Sequence, residues 1–192
     1  MDNTCVIIDP GLDHQAILTA IKESGLNPIA ILSTHGHFDH VGAVANIQNE
    51  YNIPFYLHEL DLKLLQSANF FLFVAKINHK ICIAKPDLLF KQRKDKVIIG
   101  NFNFDIYHLP GHSSGSCAFQ FHKYLFTGDI LYKNGIGQES MPKEDKVMLK
   151  ESIREIFLNF SDDLLVLPGH GSSEYLGKIK EENLELKHFI SN

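Results

Sequence analysis

The sequence predicts an α/β fold (α+β in the broad sense), a single domain with a layered sheet core, and two patterns carry that expectation. In the first third, apolar runs of strand length alternate with stretches of helical periodicity. From residue 96 onward, short strands follow one another as hairpins do. No linker, repeat or low-complexity segment interrupts the 192 residues. With 44% hydrophobic residues the chain can bury a core without disulfides, so one domain over residues 1–192 is expected.

Residues 5–9 form an apolar β-type run that Asp9-Pro10-Gly11 stops. From Asp13, the apolar positions Ala16, Ile17, Ala20 and Ile21 keep helical spacing up to Gly25. Residues 29–33 are a second strand, followed by a His-rich segment and a helical stretch through Val41, Val44, Ala45 and Gln48. Residues 54–57 read as a strand, and Leu60, Leu64 and Leu65 as a helix. The Phe-rich segment 70–74 fits either period and stays unassigned. A hairpin follows: residues 97–99, a turn at Gly100-Asn101, then Phe102, Phe104, Ile106 and His108 alternating with Asn103, Asp105 and Tyr107. Strands are expected at 117–121 and 124–127, a helix over 143–160, a strand at 164–167 and one charged helix over 178–189.

The formal charge of −5, with Lys and Arg spread along the chain, leaves no basic stripe for nucleic acid. The N-terminus has no basic and apolar leader pattern, and the longest apolar run, 70–75, is too short for a bilayer span, so no membrane is expected as a partner. Cys5, Cys82 and Cys117 are widely separated and odd in number, which fits reduced thiols in a cytoplasmic protein.

The chemistry is concentrated in histidine, of which there are eleven. Thr34-His35-Gly36-His37-Phe38-Asp39-His40 packs three imidazoles and a carboxylate into one loop between a strand and a helix. Those are the donor types that zinc and related divalent ions accept. Three further candidates each follow a strand directly: His112 in Leu-Pro-Gly-His, Asp129 in Phe-Thr-Gly-Asp, and His170 in a second Leu-Pro-Gly-His. Residues at the ends of neighbouring strands can converge on one sheet edge, and the Gly beside each permits a tight turn.

With these motifs in place, the sequence resembles the metallo-β-lactamase superfamily, in particular its glyoxalase II-like (hydroxyacylglutathione hydrolase-like) branch, from Asp9-Pro10-Gly11 almost to the C-terminus. The resemblance implies a four-layer αββα fold and two divalent metal ions, zinc first, with iron or manganese as alternates. It implies that His35, His37 and His112 hold one ion, that Asp39, His40 and His170 hold the other, and that Asp129 bridges them. Asp39 and Asp129 are thereby the catalytic carboxylates. Family members of this kind use a metal-bridging hydroxide to attack a thioester, ester or amide carbonyl. Asp rather than Cys at position 129 looks like the hydrolase branch. The implied reaction is cleavage of a small thioester, S-lactoylglutathione foremost. Other readings on the same scaffold are a mononuclear iron dioxygenase acting on glutathione persulfide, a lactonase or phosphodiesterase, and a non-enzymatic metal-binding module.

The sequence departs from the family at three places. Only eight residues precede Asp9, where the family fold begins with a β-hairpin, so an outer strand is expected to be missing and the exposed edge to favour a homodimer. The C-terminal helical domain that contacts glutathione in classical glyoxalase II is not expected here. In residues 132–138 the family carries a basic residue where Gln138 stands, which leaves Tyr132 and Lys133 as the nearest anchors for a carboxylate. Tyr132, Lys133 and Gln138 are the expected substrate-binding residues.

A competing motif is Gly111-His112-Ser113-Ser114-Gly115, which satisfies G-x-S-x-G with Asp129 and His170 downstream in serine-hydrolase order. A nucleophile elbow joins a strand to a helix, whereas strand is expected after Gly115, so Ser113 and Ser114 are assigned to shaping the His112 loop. His58, after a strand, is assigned a structural role, and His14, His79, His108, His122 and His188 stand outside any motif.

Overall fold

The computed structural model describes residues 3–137 and 144–191, so Gln138 lies outside the described residues. The chain clusters into two compact units, one of residues 1–91 and 98–102, the other of residues 92–97 and 103–192.

The first unit is built on a four-stranded sheet in the order β1-β2-β3-β4, from Thr4–Ile8, Asn27–Leu32, Phe55–His58 and Leu88–Phe90. Every neighbouring pair is parallel, so all four strands end at the same edge. Helix α1 (His14–Ser24) starts where the Asp13 carboxylate accepts the Ala16 N–H at 3.0 Å and ends at Gly25, whose φ of +66° is the left-handed cap that glycine adopts without strain. The expected helix after the His-rich segment is two short ones, α2 (Phe38–Val41) and α3 (Val44–Tyr51). A 3-10 turn (Glu59–Asp61) and α4 (Leu62–Gln66) follow β3, and the unassigned Phe-rich segment is α5 (Ala68–Val74). Ile31, Val44, Ile47, Phe55, Leu57 and Leu65 form the core.

The second unit carries a six-stranded sheet, β10-β9-β8-β7-β6-β5. Strands β5 (Lys94–Ile99), β6 (Phe102–His108), β7 (Cys117–Phe121), β8 (Tyr124–Gly128) and β9 (Leu165–Pro168) fall where the sequence places them, and β10 (Glu174–Tyr175) is an addition too short to leave a pattern. The strand after Gly115 rules out a nucleophile elbow there. β6 and β8 are both antiparallel to β7, and β8 is parallel to β9, so β6, β8 and β9 run the same way and end at one edge. Helix α6 (Lys146–Asn159) presents Leu149, Ile153 and Ile156 to a core that includes Leu109, Leu125 and Val166.

The expected C-terminal helix is interrupted. α7 (Leu176–Glu182) and α8 (Leu184–Ser191) are separated by Asn183. Its side-chain oxygen accepts the Leu186 N–H at 3.0 Å, while its amide nitrogen donates to the carbonyls of Tyr132 and Gly135. Local hydrogen bonding of this kind competes with helix continuation, which a reading of charge and period does not register. Among the described residues, no helix is long and apolar enough to cross a membrane.

Candidate metal centre

In the first unit the strand edge gathers three loops. Asp9 follows β1 with φ +47°, a conformation uncommon for a residue with a Cβ. Its two carboxylate oxygens accept the Thr34 N–H at 2.8 Å and the Thr34 hydroxyl at 2.6 Å, tying the end of β1 to the His-rich loop after β2. From below β3, buried Asp61 accepts the Gly36 N–H at 2.9 Å. Gly36 is favoured at this point, because a Cβ there would stand a tight 3.0 Å from the Asp61 carbonyl oxygen.

These supports settle the tautomer of His35. The Thr34 hydroxyl gives its single proton to Asp9, so at 3.0 Å from His35 Nδ1 it can only accept. His35 therefore carries its proton on Nδ1 and keeps a lone pair on Nε2, which faces His37 Nδ1 at 3.0 Å. Either a proton or a cation has to occupy that line. Two ligands on a tetrahedral zinc with bonds of about 2.05 Å stand about 3.3 Å apart, so the spacing suits one ion. His40 lies between two carboxylates, with Nδ1 3.0 Å from Asp9 Oδ2 and Nε2 3.9 Å from Asp39 Oδ2. His35, His37 and His40 are buried, a setting in which exposed loop histidines are not found.

In the second unit His112 lies between β6 and β7, Asp129 follows β8 and His170 follows β9. The Gly169 N–H donates to the Gly128 carbonyl at 2.9 Å, which holds the ends of β8 and β9 together and brings Asp129 and His170 side by side. His112 Nδ1 donates to the Gly137 carbonyl at 2.7 Å, leaving the Nε2 lone pair 3.7 Å from Asp129 Oδ2. His170 Nε2 stands 3.4 Å from the same oxygen. One nearly buried carboxylate oxygen flanked by two imidazole nitrogens is a donor set of the kind that suits a divalent cation. Gly137 is dictated by this packing, since a Cβ would fall 1.4 Å from the Asp129 carbonyl oxygen. Gly111, at φ +139°, lies against the Leu149 backbone, and the Ser152 hydroxyl donates to the Pro110 carbonyl at 2.6 Å, so α6 braces the His112 loop. Ser113 and Ser116 share a hydroxyl contact of 2.8 Å inside that loop, in agreement with a shaping role.

The structure thus brings His35, His37, Asp39 and His40 together in the first unit, and His112, Asp129 and His170 in the second. Tyr132 and Lys133 line a cleft of about 360 Å³ with Asn134, His170, Gly171 and Ser172. Lys133 Nζ is held 3.0 Å from Glu174, which Lys178 also approaches at 3.1 Å. The two lysines, Lys133 foremost, hold the Glu174 carboxyl down at about 2. His58 caps the 3-10 turn by accepting the Leu60 N–H at 3.3 Å, in keeping with a structural part. Sequence reasoning missed Asp9, Asp61 and Gly137 as supports. The one signal for Asp9 was an acid placed directly after an apolar strand.

Residues 2–182 match the model of the metallo-beta-lactamase superfamily. The chain is 35% identical over 190 residues to the hydroxyacylglutathione hydrolase GloC of Haemophilus influenzae, covering 95% of this chain and 87% of that protein. It is 34% identical to the probable metallo-hydrolase YqgX of Bacillus subtilis, covering 98% and 90%. Among solved structures, the BLEG-1 B3 metallo-beta-lactamase superposes with a TM-score of 0.86 at 35% identity, over 96% of this chain and 90% of that one. The protein TTHA1623 in a di-iron-bound form gives 0.80 at 36%, over 92% and 87%.

Proposed function

The chain belongs to the metallo-beta-lactamase superfamily as a metal-binding hydrolase, and we propose that it is a binuclear enzyme that cleaves a small thioester, with S-lactoylglutathione as the leading substrate. In this reading His35, His37 and His112 hold one cation, Asp39, His40 and His170 hold the second, and Asp129 is shared. Zinc is the proposed metal, with iron the first alternate because a relative at 36% identity binds two irons. Two such cations lower the pKa of a water towards neutrality and polarise the carbonyl that it attacks.

The chain's own residues do the rest. Thr34 and the Gly137 carbonyl fix the protons of His35 and His112 on Nδ1, which aims the Nε2 lone pairs inward. Asp9 and Asp61 hold the His-rich loop in place before any ligand arrives. Lys133 and Tyr132 line the cleft beside His170, where Lys133 can meet a substrate carboxylate. The observation that carries the proposal is Asp129 Oδ2 placed within reach of both His112 and His170. Cys5, Cys82 and Cys117 are all free thiols, which supports a cytoplasmic setting.

The test is a substrate panel on the metal-loaded protein: S-lactoylglutathione, an aliphatic lactone, a phosphodiester and, because of the likeness to a B3 metallo-beta-lactamase, a β-lactam. The thioester is expected to give the highest kcat/KM. A metal-loaded protein inactive on all four, or one that consumes oxygen with glutathione persulfide, overturns the reading.

A further inference from the structure

We propose that the outward face of α5, with the chain that folds back on it, is a contact surface for an anionic lipid bilayer. The inward face of this helix is settled: Ala68 and Leu72 pack with Ile81 against Leu12 and Phe38. On the opposite side Phe70 is 62% exposed, Phe73 78%, Val74 57% and Ile77 39%. Phe70, Phe73 and Val74, at i, i+3 and i+4, make one stripe on the helix, and Ile77, past its end, lines a cleft with Phe73 and Val74; a helix apolar on both faces needs something to cover the second.

The segment after the helix is fixed back onto it. The Asn69 amide donates to the Ile81 carbonyl and accepts the Ile81 N–H, both at 3.0 Å, while the Ile77 N–H donates to the Leu72 carbonyl. Lys76, at φ +57°, turns the chain, and with Phe73, Val74, Ile77 and Asn78 it lines one shallow cleft.

Charge selects the occupant. Residues 62–86 contain no Asp or Glu and four lysines, Lys63, Lys76, Lys80 and Lys85, all exposed, in a chain whose formal charge is −5. A second copy docking the same face across a two-fold axis would bring this acid-free, basic segment, with Lys76 in the cleft, against its own like charge. An anionic partner is favoured. Phe73, the most exposed of the aromatics, shares the shallow cleft with Lys76, a pairing that suits the interface of a bilayer, where aromatic rings and lysine ammonium groups meet acyl chains and phosphates together. A segment too short to span a bilayer is long enough to lie on its surface.

Co-sedimentation of the full chain with vesicles of phosphatidylcholine, with and without one-third phosphatidylglycerol, tests this. Binding is expected on the anionic vesicles alone and is expected to weaken as salt is raised. Phe70→Ser with Phe73→Ser, and separately Lys76→Glu with Lys80→Glu, should each lower vesicle affinity by at least about tenfold. Circular dichroism melts check folding; if the serine pair melts early, the lysine pair carries the test. Absence of sedimentation, equal binding to neutral vesicles, or insensitivity to both pairs overturns the proposal. Self-association in the ultracentrifuge that the serine pair abolishes would assign the face to a second copy, and capture of polyglutamate without vesicle binding would assign it to an acidic protein.

Discussion

At the scale of single residues, the proton positions of two histidines decide what the site can hold. His35 and His112 each give their Nδ1 proton to a neighbour, which leaves Nε2 available as a donor to a cation. Thr34→Val removes the acceptor for the His35 proton and the hydroxyl bond to Asp9, leaving the backbone bond in place, and should lower metal affinity or activity about 10- to 100-fold, measured by competition with a chromophoric chelator. Asp129→Ala should cost more than that while leaving the melting temperature of the metal-free protein almost unchanged. The candidate donors could be picked out in the sequence, because cation binding restricts the choice to a few residue types and those types clustered after strands. Their supports could not. Thr34 and Asp9 lie 25 residues apart, as do Gly36 and Asp61, and hydrogen bonds between common residue types at such separations leave no periodic trace.

Among the elements, the strands were read most closely, since alternation and the turn at Gly100-Asn101 specify them locally. Helices fared less evenly. The Phe-rich segment resisted assignment because α5 is apolar on two sides, so no single period stood out. The C-terminal helix was expected unbroken because the role of Asn183 depends on the carbonyls of Tyr132 and Gly135, about 50 residues away. Asn183→Leu leaves those buried carbonyls short of a donor and should destabilise the fold by about 1–3 kcal/mol in urea unfolding. The tie of β10 to its neighbours depends on pH. Glu174 titrates at about 2 in the fold against 4.5 for an ordinary glutamate. Its contribution is therefore complete above pH 4.5 and is lost as pH falls towards 2. Thermal melts of the protein and of Glu174→Gln should accordingly differ at neutral pH and converge towards pH 2.

For the whole molecule, the sequence pattern of strands alternating with helices and then hairpins corresponds to the two sheets of the metallo-β-lactamase fold. The division of the chain into two compact units had no counterpart in composition, because no linker marks it. Metal bound to the folded chain and not to the unfolded one stabilises by mass action, so dialysis against a strong chelator should abolish turnover and lower the melting temperature, with both restored by the divalent ion.

The most direct test of the central claim is elemental analysis of protein purified without added metal, with hydrolysis of S-lactoylglutathione followed on the same sample. The account predicts two equivalents of a divalent metal per chain together with turnover. A single iron without turnover, or no metal in a protein that is folded, would contradict it.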